Sequence, residues 1–75
     1  MYFETTYLND MIDQAHTRGH ATAKEAGVLA QTLDVDRLII GHYSSRYRDV
    51  EPLLEEAKAE FANSIKGYDG LILAL

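Results

Sequence analysis

Seventy-five residues without a cysteine exclude a disulfide frame and a thiolate metal site, and a chain this short buries only about 60% of the surface its unfolded form exposes. An apolar fraction of 47% with 25% charged residues belongs to a small globular domain rather than a disordered tail, and twelve acids against seven Lys and Arg leave a net charge of −5. That balance argues against binding nucleic acid through a broad basic face. What remains are local cationic spots such as Arg46 and Arg48 around Tyr47. No apolar run approaches the roughly eighteen residues of a membrane span, and the start of the chain lacks the basic and apolar regions of a signal peptide. A cytoplasmic protein without a membrane partner is therefore expected.

The first stretch, Met1 to Tyr7, is aromatic and β-branched, which suits a strand running into a loop, with Glu4 a carboxylate among packing residues. Leu8, Met11, Ile12 and Ala15 then form one apolar helical stripe, which Asn9 can cap and Gly19 can end. Thr22 and Glu25 have capping-box spacing ahead of a second stripe, Ala26, Leu29, Ala30 and Leu33. His20 falls just before that helix start, where free backbone N–H groups favour anions. Asp34 to Asp36 turn the chain into a short buried strand, Arg37 to Gly41, expected to pair in parallel with the first through a right-handed crossover. Both strands would then end at one edge, where Glu4, His20 and His42 can converge.

Asp49 reads as the cap of a third helix with Pro52 in its first turn and Val50, Leu53, Leu54, Ala57 and Phe61 on its buried face. Glu55, Glu56, Lys58 and Glu60 read as its solvated face. The tail reads as two short strands, broken at the hairpin signal Asp69-Gly70. The pattern is α/β, a βαβαββ partial layer with parallel core strands.

Polar side chains concentrate in Gly41-His42-Tyr43-Ser44-Ser45-Arg46-Tyr47, directly after the buried strand. Ligands bind at such strand ends in open α/β sheets, an imidazole can hold a metal, and a guanidinium can grip a phosphate. His16 and His20 have the spacing of a helical metal pair, but Gly19 interrupts the helix between them and no third ligand stands near. Ser44 or Ser45 beside His42 lacks the Gly-x-Ser-x-Gly elbow of a nucleophile. A strand-end histidine, a helix-start histidine, an arginine and two isolated acids, Glu4 and Asp69, make a set that could bind and cleave a phosphodiester beside a metal.

Phe3-Glu4-Thr5-Thr6-Tyr7, Gly19-His20-Ala21-Thr22-Ala23, Leu38 to Tyr47 and Tyr68-Asp69-Gly70, in this order and spacing, resemble the C-terminal segment of ribonuclease Z, the tRNA 3′-processing endonuclease of the metallo-β-lactamase fold. The resemblance takes in essentially all 75 residues as one segment. It implies a zinc ligand at His42, a phosphate-contacting histidine at His20 that assists proton transfer, and a supporting acid at Glu4. It also implies an RNA phosphate contact at Arg46 and a loop-motif acid at Asp69. Three departures are visible: Phe3 stands where the family has histidine, Thr5 where it has alanine and Ala21 where it has serine.

The family's His-x-His-x-Asp-His cluster and its further ligands for two zinc ions have no match in this sequence, and the resemblance places them upstream. A catalytic zinc takes three protein ligands plus a water. The isolated chain is therefore expected to be inactive, with precursor tRNA bound only by the intact enzyme and the upstream half of the fold as a partner. An uncovered strand edge and helix face further predict self-association, as a homodimer or a larger assembly, through the Leu71 to Leu75 strand. The alternatives are a non-catalytic α/β interaction module and another phosphodiesterase of the same fold.

Overall fold

The computed structural model describes residues 1–67. Three strands, β1 (Tyr2–Glu4), β2 (Leu38–Gly41) and β3 (Ser64–Lys66), form one parallel sheet in the order β1-β2-β3. Tyr2 is level with Ile39 and Ile39 with Ile65. Three helices, α1 (Ile12–Thr17), α2 (Ala23–Leu33) and α3 (Glu51–Glu60), lie in the connections. The α/β class and the parallel pairing of the first two strands are as expected. Asp69, its hairpin and the Leu71 to Leu75 strand lie outside the described residues.

Alternation along the strands decides the layers. Leu38 and Ile40 point to one side and pack with Ala23, Ala26, Ala30, Leu53 and Ala57, all completely buried, while Phe3, Leu54 and Phe61 close the margin of this cluster. Small residues let the two long helices approach closely. At Gly27 a Cβ would stand 2.7 Å from the Ala57 carbonyl oxygen and 2.8 Å from Glu60 Cβ, so the crossing of α2 and α3 has room only for hydrogen there. Tyr2, Ile39 and Ile65 share the other face by register, and the Tyr2 ring lies against Gly41, within 2.6 Å of where a Cβ would be.

Three local expectations are corrected. Asn9 does not cap a helix with its side chain: residues Asn9–Met11 form a 3₁₀ turn, and α1 begins only at Ile12. The Asn9 side-chain oxygen instead accepts from the Thr22 hydroxyl at 2.9 Å. Glu56 is not simply solvated, because its carboxylate accepts from the backbone N–H groups of Asn9 and Lys24, each at 3.0 Å to Oε2. One acid of α3 thus satisfies amide donors at the start of the 3₁₀ turn and of α2, where helix ends lack partners and negative charge is favoured. Asp49 accepts from the Glu51 amide at 3.0 Å, but the capping position itself is Val50, so the acid stands one residue further out than the sequence pattern suggests.

The segment between α1 and α2 follows the sequence closely and fixes His20. Gly19, with φ +73°, closes α1 in a Schellman arrangement in which the His20 amide donates to Ala15 and the Gly19 amide to His16. Two residues later the capping box is complete: the Thr22 hydroxyl accepts from the Glu25 amide and the Glu25 carboxylate from the Thr22 amide. His20 is held between a helix stop and a helix start.

Candidate metal and phosphate site

Both strand ends open on the same edge of the sheet. Glu4 is the last residue of β1, level with Gly41, and His42 follows β2 directly. His42 has φ +56°, a left-handed conformation that a residue with a Cβ adopts at a cost and that turns its backbone sharply off the strand. His20 arrives from the α1–α2 connection. One ligand atom from each of Glu4, His20 and His42 can be chosen so that all lie within 4.8 Å of one another, and the two imidazole centroids are 5.4 Å apart. The edge opens toward His42, whose side chain is 61% exposed against 32% for His20 and 28% for Glu4.

A residue that the sequence reading passed over stands at the centre. The Thr6 hydroxyl lies 2.5 Å from Glu4 Oε2, 2.9 Å from His42 Nδ1 and 3.3 Å from His20 Nδ1. It has one proton to give. The charged, nearer carboxylate takes it in preference to the His42 carbonyl at 3.0 Å, which leaves the hydroxyl lone pairs to accept from imidazole N–H groups. An imidazole that donates from Nδ1 presents a bare Nε2, the form a metal binds. Thr6 itself is buried, its amide also donating to Glu4. The signal for it was a hydroxyl two residues past an isolated acid at a strand end, a pattern that turn chemistry alone also explains.

Glu4 is fully engaged. Its Oε1 accepts from the Ala21 amide at 2.5 Å, and its Oε2 from the amide and hydroxyl of Thr6. A carboxylate with three donors on it suits holding the histidines in place better than binding a metal directly. His20 Nδ1 is 3.6 Å from its Oε1 and His42 Nδ1 is 3.9 Å from its Oε2. Two imidazoles with free Nε2 atoms fit part of a zinc shell, and a tetrahedral site needs further ligands.

Arg46 stands beside this cluster, not in it. Its guanidinium carbon is 6.0 Å from the centroid of the Tyr7 ring, and that ring meets His20 edge-on with centroids 6.3 Å apart. The loop carrying it is pinned by the Ser44 amide, which donates to the Thr6 carbonyl at 3.0 Å, and by the Tyr47 hydroxyl, which accepts from the Leu8 amide at 2.9 Å. Neither Ser44 nor Ser45 hydrogen-bonds His42 among the described residues, and the Ser44 hydroxyl accepts from the Arg46 amide. His16 turns away from His20 and binds Glu25 at 2.7 Å, which removes it from any helical metal pair. Glu25 feels burial that opposes its charge, but the bonds from His16 and the Thr22 amide outweigh it and hold its carboxyl below the usual range.

No family model matches the chain. Among curated proteins it is 43% identical over 70 residues to ribonuclease Z of Cytophaga hutchinsonii, covering 93% of this chain and 22% of that protein. It is 45% identical over all 75 residues to ribonuclease Z of Porphyromonas gingivalis, covering 25% of it. The ribonuclease Z of Archaeoglobus fulgidus is 42% identical over 71 residues, with 93% of this chain and 23% of the archaeal protein aligned. The chain belongs to the ribonuclease Z family. It spans about a quarter of the length of these relatives. The resemblance to this family thus extends over nearly the whole chain. No helix of the described residues is long and apolar enough to cross a membrane.

Proposed function

We propose that this chain is the C-terminal segment of a zinc-dependent, ribonuclease Z-type endoribonuclease of the metallo-β-lactamase fold, acting in the cytoplasm on the 3′ end of precursor tRNA. The single observation that supports it most is the meeting of Glu4, His20 and His42 at one sheet edge, in a chain that matches ribonucleases Z throughout.

In this reading His42 holds zinc through Nε2, its other nitrogen anchored on Thr6. When bound, the metal supplies Lewis acidity toward the phosphate and acidifies a water. His20, when it carries a proton on Nε2 as well as on Nδ1, donates to the scissile phosphate and passes that proton to the leaving oxygen, with Glu4 and Thr6 keeping its ring turned to the task. Arg46 offers planar donors to a phosphate oxygen as charge builds on it. The resemblance gives Asp69 the part of the loop-motif acid. The remaining zinc ligands come from the rest of the protein, and the isolated chain is inactive.

A chimera tests this. The 75 residues replace the corresponding segment of the Porphyromonas gingivalis ribonuclease Z, and cleavage of a precursor tRNA is compared with that of a cyclic nucleotide and a nonspecific RNA. Cleavage at the tRNA 3′ end is expected, with His42→Ala reducing it by about a hundredfold or more. Full activity in His42→Ala would remove the central assignment. Preference for one of the other substrates would transfer the chain to another phosphodiesterase class.

A further inference from the structure

Next to the histidine cluster, across the Tyr7 ring, lies a notch of about 340 Å³ lined by Tyr7, Gln14, Arg18, Ser44, Ser45 and Arg46. Every lining side chain is polar or carries a polar end. Arg18 is held over it, its Nη1 donating to the Tyr7 hydroxyl at 3.1 Å, and Arg46 stands on the same ring from the loop after β2. Tyr7 is 4% exposed, so the wall between the two guanidiniums is fixed. Among the described residues neither arginine has a carboxylate within ion-pair distance, although acids outnumber Lys and Arg twelve to seven in the chain. Arg46 Nη1 donates to the weak acceptor Met11 Sδ at 3.2 Å, so an acidic protein that gathers two guanidiniums without carboxylate partners and two serine hydroxyls around one buried ring has built a place for an anion from outside.

We propose that this notch is a second phosphate subsite, in which Arg18, so far without a role, works with Arg46 and the Ser44 and Ser45 hydroxyls to hold a backbone phosphate of an RNA strand adjacent to the phosphate at His20 and His42. The proposal rests on the reading of the chain as part of a phosphodiesterase and adds to it a second phosphate contact on the substrate. The Tyr7 ring sets the separation: its hydroxyl end carries Arg18 on the notch side, and the ring packs T-shaped against His20 on the cluster side. Such a contact positions the strand and is indifferent to base identity.

The test is a titration of the 75-residue chain, without metal, with a 5′-phosphorylated diribonucleotide and with the same dinucleotide lacking the phosphate. It is followed by the Arg Nε–Hε and Ser44 and Ser45 amide signals in NMR. Saturable shifts at Arg18, Arg46 and both serines are expected, larger with the phosphorylated probe. Arg18→Gln should weaken binding about tenfold and lower the salt dependence by roughly one contact, with Arg18→Lys intermediate because it keeps the charge and loses the fork. The amide spectrum of each variant checks folding, and Arg18 is exposed, so the fold should persist. No saturable shift, shifts concentrated on distant cations such as Arg37 or Lys58, or equal affinity and salt slope in Arg18→Gln would each overturn the subsite. Zinc affinity of Arg18→Gln should equal that of the unaltered chain. A loss of the metal reading would appear in that measurement and leave the dinucleotide titration untouched, so the two failures are separable.

Discussion

The helix-packed side of the sheet and its open C-terminal edge are built from opposite materials. On the packed side, alanines, one glycine and a few aliphatic residues meet with no space for another methyl group, and nothing there can bind or react. At the edge, hydroxyl, carboxylate and imidazoles share a few donors and acceptors, and Glu4, His20 and His42 all retain exposed surface. The contrast teaches that the helices earn their small residues by holding α2 and its N-terminal connection still, which is what fixes His20 relative to His42. Position is set by packing, and chemistry is left to loops pinned by a few backbone bonds such as that from the Ser44 amide to the Thr6 carbonyl.

Breaking the packed side should have the largest effect. Leu53→Ala should cost about 2–5 kcal/mol in urea unfolding, since Leu53 is completely buried among side chains that cannot close the gap. Gly27→Ala should cost about 1–3 kcal/mol, because the added methyl group meets the Ala57 backbone and not a flexible side chain. If either variant kept full stability, the close crossing of α2 and α3 would not be what holds the fold.

At the edge the changes that discriminate are in binding. Thr6→Val removes the hydroxyl shared by Glu4 and both imidazoles, and zinc affinity, followed by calorimetry, should fall about 10- to 100-fold, with Thr6→Ser restoring most of it. Equal affinity in Thr6→Val would show that the imidazoles orient without it. The smallest effect concerns Glu25. Its folded carboxyl titrates below the unfolded range, so it adds stability above the unfolded value, and that stability disappears as pH falls through the lower folded value. Glu25→Gln should flatten the acid limb of the stability profile while moving neutral-pH stability by less than about 1 kcal/mol.

Much of this was readable from the chain because it depends on neighbours in sequence. Gly19 as a helix stop, Thr22 with Glu25 as a helix start, and Leu38 to Gly41 as a buried strand are local patterns with local causes. The meeting of Glu4, His20 and His42 followed from parallel strands ending at one edge. What could not be read needed distant partners. Glu56 serves amides of Asn9 and Lys24, far away in the chain, and its own helix pattern marks it only as polar. Thr6 looks like any strand-end hydroxyl until three functional groups are seen around it. The left-handed backbone at His42 is invisible in a residue type that seldom adopts it.

The sheet has no hairpin among the described residues: Tyr2 waits for Ile39 before the first ladder can form, and Ile39 for Ile65 before the second can. Each pairing closes a long loop, whose entropy must be met in advance, so the helices and their alanine contacts have to gather first. On a ribosome β1 therefore waits for about half of this segment's synthesis before β2 is there to pair with it.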